Sequence, residues 1–68
     1  MKNNIKVERA RNNMTQADLA EKSQVSRQTI NAMEAGKYVP STLLSLKLAE
    51  IFKVQVNELF QLEKKDWK

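Results

Sequence analysis

Residues 15–36, TQADLAEKSQVSRQTINAMEAG, carry the signals of two short capped helices joined by a tight turn. Thr15 is placed to cap a helix from about Gln16 to Ser23. Asp18, three residues on, closes a variant capping box, and its charge suits the helix N-terminus. Leu19 and Ala20 supply the buried face. A turn at Gln24 and Val25 follows, Ser26 caps the next helix, and Gly36 ends it after about Ala35. At about 100° per residue, Ser26, Ile30 and Met33 lie within about 40° of one direction. Gln28, Asn31, Ala32 and Ala35 lie opposite, with Arg27 to one side. One short helix thus holds another so that forked and amide side chains face outward.

Working outward, residues 4–12 favour a polar first helix with Ile5 and Val7 as its apolar residues, and Asn12 and Asn13 are suited to ending it. Lys37 to Pro40 reads as a short exposed loop. Ser41 caps a fourth helix through about Phe52, with Leu43, Leu44, Leu46, Leu48, Ala49 and Phe52 as its apolar stripe. A last short helix near Val56 to Phe60 presents Val56, Leu59 and Phe60. Phe52 and Phe60 read as core. The tail, Gln61 to Lys68 (62–68 beyond the core), reads as disordered or as a short strand, and Trp67 as a cover for an apolar patch or as exposed. Five short helices imply an all-α bundle in one domain spanning 1–68, with its core at about 4–61.

Composition narrows the chemistry. The chain has 68 residues, one glycine, one proline, and neither cysteine nor histidine. Disulfides and thiolate metal sites are excluded, and the commonest general base and metal ligand is missing. No cofactor or metal site is expected. Twelve basic residues against eight acidic ones give a net charge of +4, which suits a polyanion without demanding one. No apolar run is long enough for a membrane span, and residues 1–13 are too polar for a signal peptide. The expected compartment is the cytoplasm, in association with the nucleoid.

The outward row of the third helix carries the chemistry. Arginine pairs bidentately with guanine and glutamine or asparagine with adenine, each worth about 1–3 kcal/mol of discrimination. Ala32 is small enough to accept a thymine methyl. The plainer reading is a solvated polar face. Against it stands Arg27, a cation in a first helical turn, where the helix dipole disfavours positive charge.

Counting Gln16 as the first of twenty positions, Leu19, Ala20, Val25, Ile30 and Met33 fall on the apolar positions of the phage-repressor helix-turn-helix. Extended through SRQTINAMEAGKYVPSTLLSLKLA, the chain resembles the small Cro/repressor (xenobiotic-response-element) family of prokaryotic transcriptional regulators over about residues 4–61. The resemblance implies a five-helix fold of lambda-repressor type, a homodimer, and binding to a partly palindromic DNA operator. It casts Arg27, Gln28, Asn31 and Ala32 as base readers and Gln16, Thr29, Lys37 and Tyr38 as phosphate contacts. The side chain or backbone N–H of Gln16 would touch the strand, and Tyr38 would serve there or pack in its loop. Ser26 would be a plain cap or a further phosphate contact. Arg9 would pair with Glu34, tying the first helix to the third, or reach a phosphate itself. Relatives of this size also pair their ends as a ribbon, here about residues 1–3 with 61–63.

Two positions depart from the family pattern. Gln24 stands where a glycine with positive φ is usual, which costs about 1 kcal/mol or adjusts the turn. Glu8 stands where leucine is frequent, with Val7 beside it, so the first helix would pack rotated or more loosely.

The reading that follows is a homodimeric transcriptional regulator, most simply a repressor, with its dimer contact near Val56, Leu59 and Phe60. The alternative is an antitoxin-type module that binds a protein partner and represses its own operon. An enzyme is disfavoured, since the chain lacks histidine, cysteine and a glycine-rich phosphate loop.

Overall fold

Four of the five α-helices among the described residues stop in the same way. A computed structural model describes residues 1–67; Lys68, the end of the expected tail, lies outside the described residues. The elements run β1 (Lys2–Asn3), α1 (Ile5–Arg11), α2 (Gln16–Ser23), α3 (Arg27–Glu34), α4 (Thr42–Phe52), α5 (Val56–Leu59) and β2 (Phe60–Gln61). A 3₁₀ turn covers Lys64–Trp67. After α1, α2, α3 and α4 one residue takes the left-handed conformation: Asn13 (φ 53°), Gln24 (φ 63°), Gly36 (φ 75°) and Lys53 (φ 57°). The following N–H then bonds back five residues, from Met14 to Arg9, Val25 to Ala20, Lys37 to Ala32 and Val54 to Ala49. Met14, Val25 and Val54 pack against the core, so three of these stops also fasten the next segment apolarly. Lys37 is exposed and gives α3 no such fastening.

Gln24 therefore holds the positive φ of the glycine it replaces. Gln24→Gly is expected to stabilise the protein by about 1 kcal/mol, or about 4–8 °C in Tm. Thermal unfolding checks this; a lower Tm would show that the 3.3 Å bond from Lys47 Nζ to Gln24 Oε1 matters more than the backbone.

The N-termini are as well defined. Thr15 accepts the Asp18 N–H while Asp18 accepts the Thr15 N–H, a complete capping box. Ser26 and Ser41 accept from Thr29 and Leu44 in the same manner. Between these caps and stops, Ile5, Leu19, Ala20, Ile30, Met33, Leu44, Leu48, Phe52 and Leu59 form one buried cluster, with Ile51 and Phe60 partly covered against it. Burying these side chains is the main force holding so short a chain together.

Several expectations need correction. Leu43 and Leu46 are not part of the buried stripe of α4, being 66% and 54% exposed. Val7 is half exposed while Glu8 is buried, so α1 is not rotated to exchange them. Glu8 Oε2 instead accepts from Arg11 Nη1 at 3.1 Å, giving the inward carboxylate a partner at the rim. The terminal ribbon forms one residue earlier than expected, Lys2 opposite Gln61 and Asn3 opposite Phe60. α5 ends at Leu59, and Asn4 N–H donates to the Leu59 carbonyl, which fixes that register.

The described part of the tail has strand only at Gln61, in β2, and turns into a 3₁₀ helix at Lys64–Trp67. Its 3₁₀ turn is capped by Asp66, which accepts the Glu63 N–H, and the Met1 amine lies 3.1 Å from both Glu63 and Asp66. Trp67 stays 77% exposed and covers nothing. Hydrogen bonds from the amine to Glu63 and Asp66 raise its pKa above the ordinary 8.0. The bond to that amine lowers Glu63, and the Glu63 N–H, then the amine, lowers Asp66. A raised amine stabilises the folded tail below its ordinary value and loses that effect as pH rises through the raised one. Lowered carboxylates act above their ordinary values and lose their effect as pH falls through the lowered ones. The 68-residue chain should thus hold its tail across mid-range pH and release it at both ends. The Glu63 amide resonance should follow both steps while core resonances stay still. An amide that moves only with global unfolding contradicts this.

Candidate nucleic-acid interface

The site grows from the cap of α3. Because Ser26 fixes where the helix starts, Ile30 and Met33 turn into the core while Arg27, Gln28 and Asn31 are left exposed. Gln16, the first residue of α2, lies across the turn from them. Gln16, Arg27, Gln28 and Asn31 together line one surface recess of about 450 Å³. Arg27 forms no ion pair among the described residues. The first turn of α3 holds no acidic residue, so both the guanidinium and the helix end present positive potential there.

Beneath the recess lies the join between α1 and α3. Arg9 Nε donates to Glu34 Oε2 at 2.6 Å and Nη2 to Oε1 at 3.0 Å, while Nη1 reaches the Met14 carbonyl at 3.0 Å. The two side chains are only 15% and 9% exposed, and the charge-assisted bonds to Glu34 raise the Arg9 pKa further. Arg9 therefore has its donors directed inward. Glu34 also accepts from Gln16 Nε2 at 3.2 Å, and the same nitrogen donates to Asn31 Oδ1 at 3.2 Å.

The helix-turn-helix sequence profile matches residues 5–59, from the first residue of α1 to the last of α5. The chain belongs to that helix-turn-helix family. It is 52% identical over 63 residues to an uncharacterised HTH-type transcriptional regulator of Methanocaldococcus jannaschii, covering 93% of this chain and 96% of the relative. The HTH-type transcriptional regulator YgzD of Bacillus subtilis is 44% identical over 66 residues, 97% of this chain and all of the relative. A third such regulator, from Archaeoglobus fulgidus, is 39% identical over 66 residues, covering 97% of this chain and 93% of the relative.

Within this helix-turn-helix chain the expected site residues do not all come together. Thr29 and Ala32 are half buried and lie outside the recess. The Thr29 hydroxyl is 2.9 Å from that of Ser26, so both hydroxyls serve the cap. Lys37 is exposed just past α3. Tyr38 lines a separate hollow with Val25, Leu43, Leu44 and Lys47. Leu59, expected at a contact between copies, has no accessible surface and belongs to the core of the single chain. Exposed apolar surface in that region comes from Val39, Leu46 and Val56, which line a groove with Pro40 and the half-buried Phe60. Sequence reasoning missed Leu46 as part of this surface and missed the bonds of Gln16 to Glu34 and Asn31. No helix among the described residues is long and apolar enough to cross a membrane, and none of their acidic groups cluster as a metal site.

Proposed function

We propose that the protein is a DNA-binding transcriptional regulator that lays α3 in the major groove and reads base edges with Arg27, Gln28 and Asn31. The observation that carries this is the convergence of Gln16, Arg27, Gln28 and Asn31 on one recess with an unpaired arginine at its edge. The names of the relatives support the same assignment. Ala32 lets the helix approach, while Lys37 and Tyr38 flank α3 as phosphate contacts. Thr29 is the weakest of that set, because its hydroxyl already has a partner. Gln16 touches the strand through its backbone N–H, since a helix-start N–H has no partner within the helix and the side-chain NH₂ is engaged inward.

One domain gives modest affinity, so we assign a homodimer on two half-sites about one helical turn apart, acting most simply as a repressor. The contact between copies uses the groove of Val39, Leu46, Val56 and Phe60 in place of the buried Leu59. No catalytic step is assigned.

Selection of the purified protein on random double-stranded DNA tests the assignment. The expected product is a two-fold symmetric site bound with an affinity that falls steeply as salt rises. Recovery of unselected sequence would remove the base-reading role. An asymmetric site bound by a monomer would remove the dimer alone.

A further inference from the structure

The Glu34 carboxylate lies where the frame of the protein meets its outward face. Arg9 donates to both its oxygens, so each of them is engaged as an acceptor. Gln16 bonds to the same carboxylate, so it must turn its NH₂ inward, because its carbonyl would oppose another acceptor. The second proton of that NH₂ goes to Asn31 Oδ1. Asn31 is turned in consequence, with its oxygen held and its Nδ2 free. A fixed charge on one side of the molecule thus orients two amides in succession, ending at a residue on the outward row of α3.

We propose that Glu34, itself set back from the outward face, fixes the hydrogen-bonding polarity of that face through Gln16, so that Asn31 meets the groove as a donor. The proposal rests on the reading of α3 as the base-reading helix. An amide free to turn over matches donors and acceptors alike. Asn31 held with Nδ2 outward matches a purine N7 or a thymine O4 and rejects cytosine, whose major-groove edge offers only the N4 donor. Turning Asn31 over would break its bond to Gln16. Turning Gln16 over would set a carbonyl against a carboxylate. Glu34 and Gln16 are then positioning residues for specificity, a role distinct from the phosphate contact expected of Gln16.

The test is selection on random DNA with the full chain, comparing wild type, Asn31→Ala, Gln16→Met and Arg27→Ala position by position. Asn31→Ala identifies the base pair under residue 31. Gln16→Met keeps the Arg9–Glu34 pair and is expected to admit cytosine on the strand that residue 31 contacts there, removing a preference of roughly fivefold or more. Preferences that depend on Arg27 should remain. In the free protein, the Asn31 side-chain amide resonances should shift in Gln16→Met, which needs no DNA to observe. A uniform loss of affinity with every preference kept overturns the proposal and leaves Gln16 a phosphate contact only. If Asn31→Ala changes no preference, the proposal also fails while the reading of α3 through Arg27 stands. If Arg27→Ala too keeps every preference, the reading of α3 itself fails.

Discussion

Replacing Arg27 and Gln28 together with alanine is expected to leave the fold intact and remove most of the sequence preference in DNA binding, leaving the share read by Asn31. Each bidentate base contact is worth about 1–3 kcal/mol, so the pair contributes at least about 2 kcal/mol, roughly thirtyfold, at each half-site. A symmetric dimer counts that loss twice. Non-specific binding should survive, because phosphate contacts carry most of it. Both side chains are exposed, so unfolding should shift by no more than about 0.5 kcal/mol. Its sign should be favourable, since Arg27 opposes the dipole at the start of α3. Gel shift on the selected site beside scrambled DNA, with a thermal melt, separates the two effects. A double variant that prefers the selected site as strongly as the wild type would show that another surface reads the bases.

Arg9→Ala should show the opposite profile, a large fall in stability. It removes two bonds to Glu34 and one to the Met14 carbonyl, leaving a carboxylate that is 9% exposed with only Gln16 as a partner. Orphaning a charge at such a site costs about 2–4 kcal/mol, or roughly 10–25 °C in Tm for a chain of this size. Folding stabilities of small domains are of the same order, so part of the population would unfold near ambient temperature. Replacing both partners, as Arg9→Met with Glu34→Met, should recover part of the loss because no unpaired charge remains. A melting temperature unchanged in Arg9→Ala would refute the structural role.

Local rules reached far into this fold, and the residues show where they stopped. Thr15, Ser26 and Ser41 cap as their types demand, and α2 falls on Gln16–Ser23 as read. The inward and outward rows of α3 follow from one angular count. The same count applied to α4 separates its stripe: Leu43 and Leu46 stand roughly 140–160° from the centre of Leu44, Leu48, Ala49 and Phe52. The sequence already held that distinction, and a simple tally of leucines hid it. Lys53 in a left-handed stop gives no local signal, because its reward is the packing of Val54 on the core. The tail depends on an amine more than sixty residues away, and the Gln16–Asn31 bond joins side chains fifteen apart. Contacts of that kind are set by tertiary placement and leave no periodicity to read.

The stop after α3 differs from the others in ending on an exposed lysine, and this has a practical side. Beyond the buried Met33 and the Arg9–Glu34 pair, the end of α3 is held by Asn3, whose Nδ2 donates to the Met33 carbonyl at 2.9 Å. Asn3 is in turn held by its ribbon pairing with Phe60. Handling of the first three residues therefore reaches the far end of the outward-facing helix. A purification tag placed ahead of Met1 would disturb the very surface under assay, and one placed after Lys68 would leave this anchorage alone.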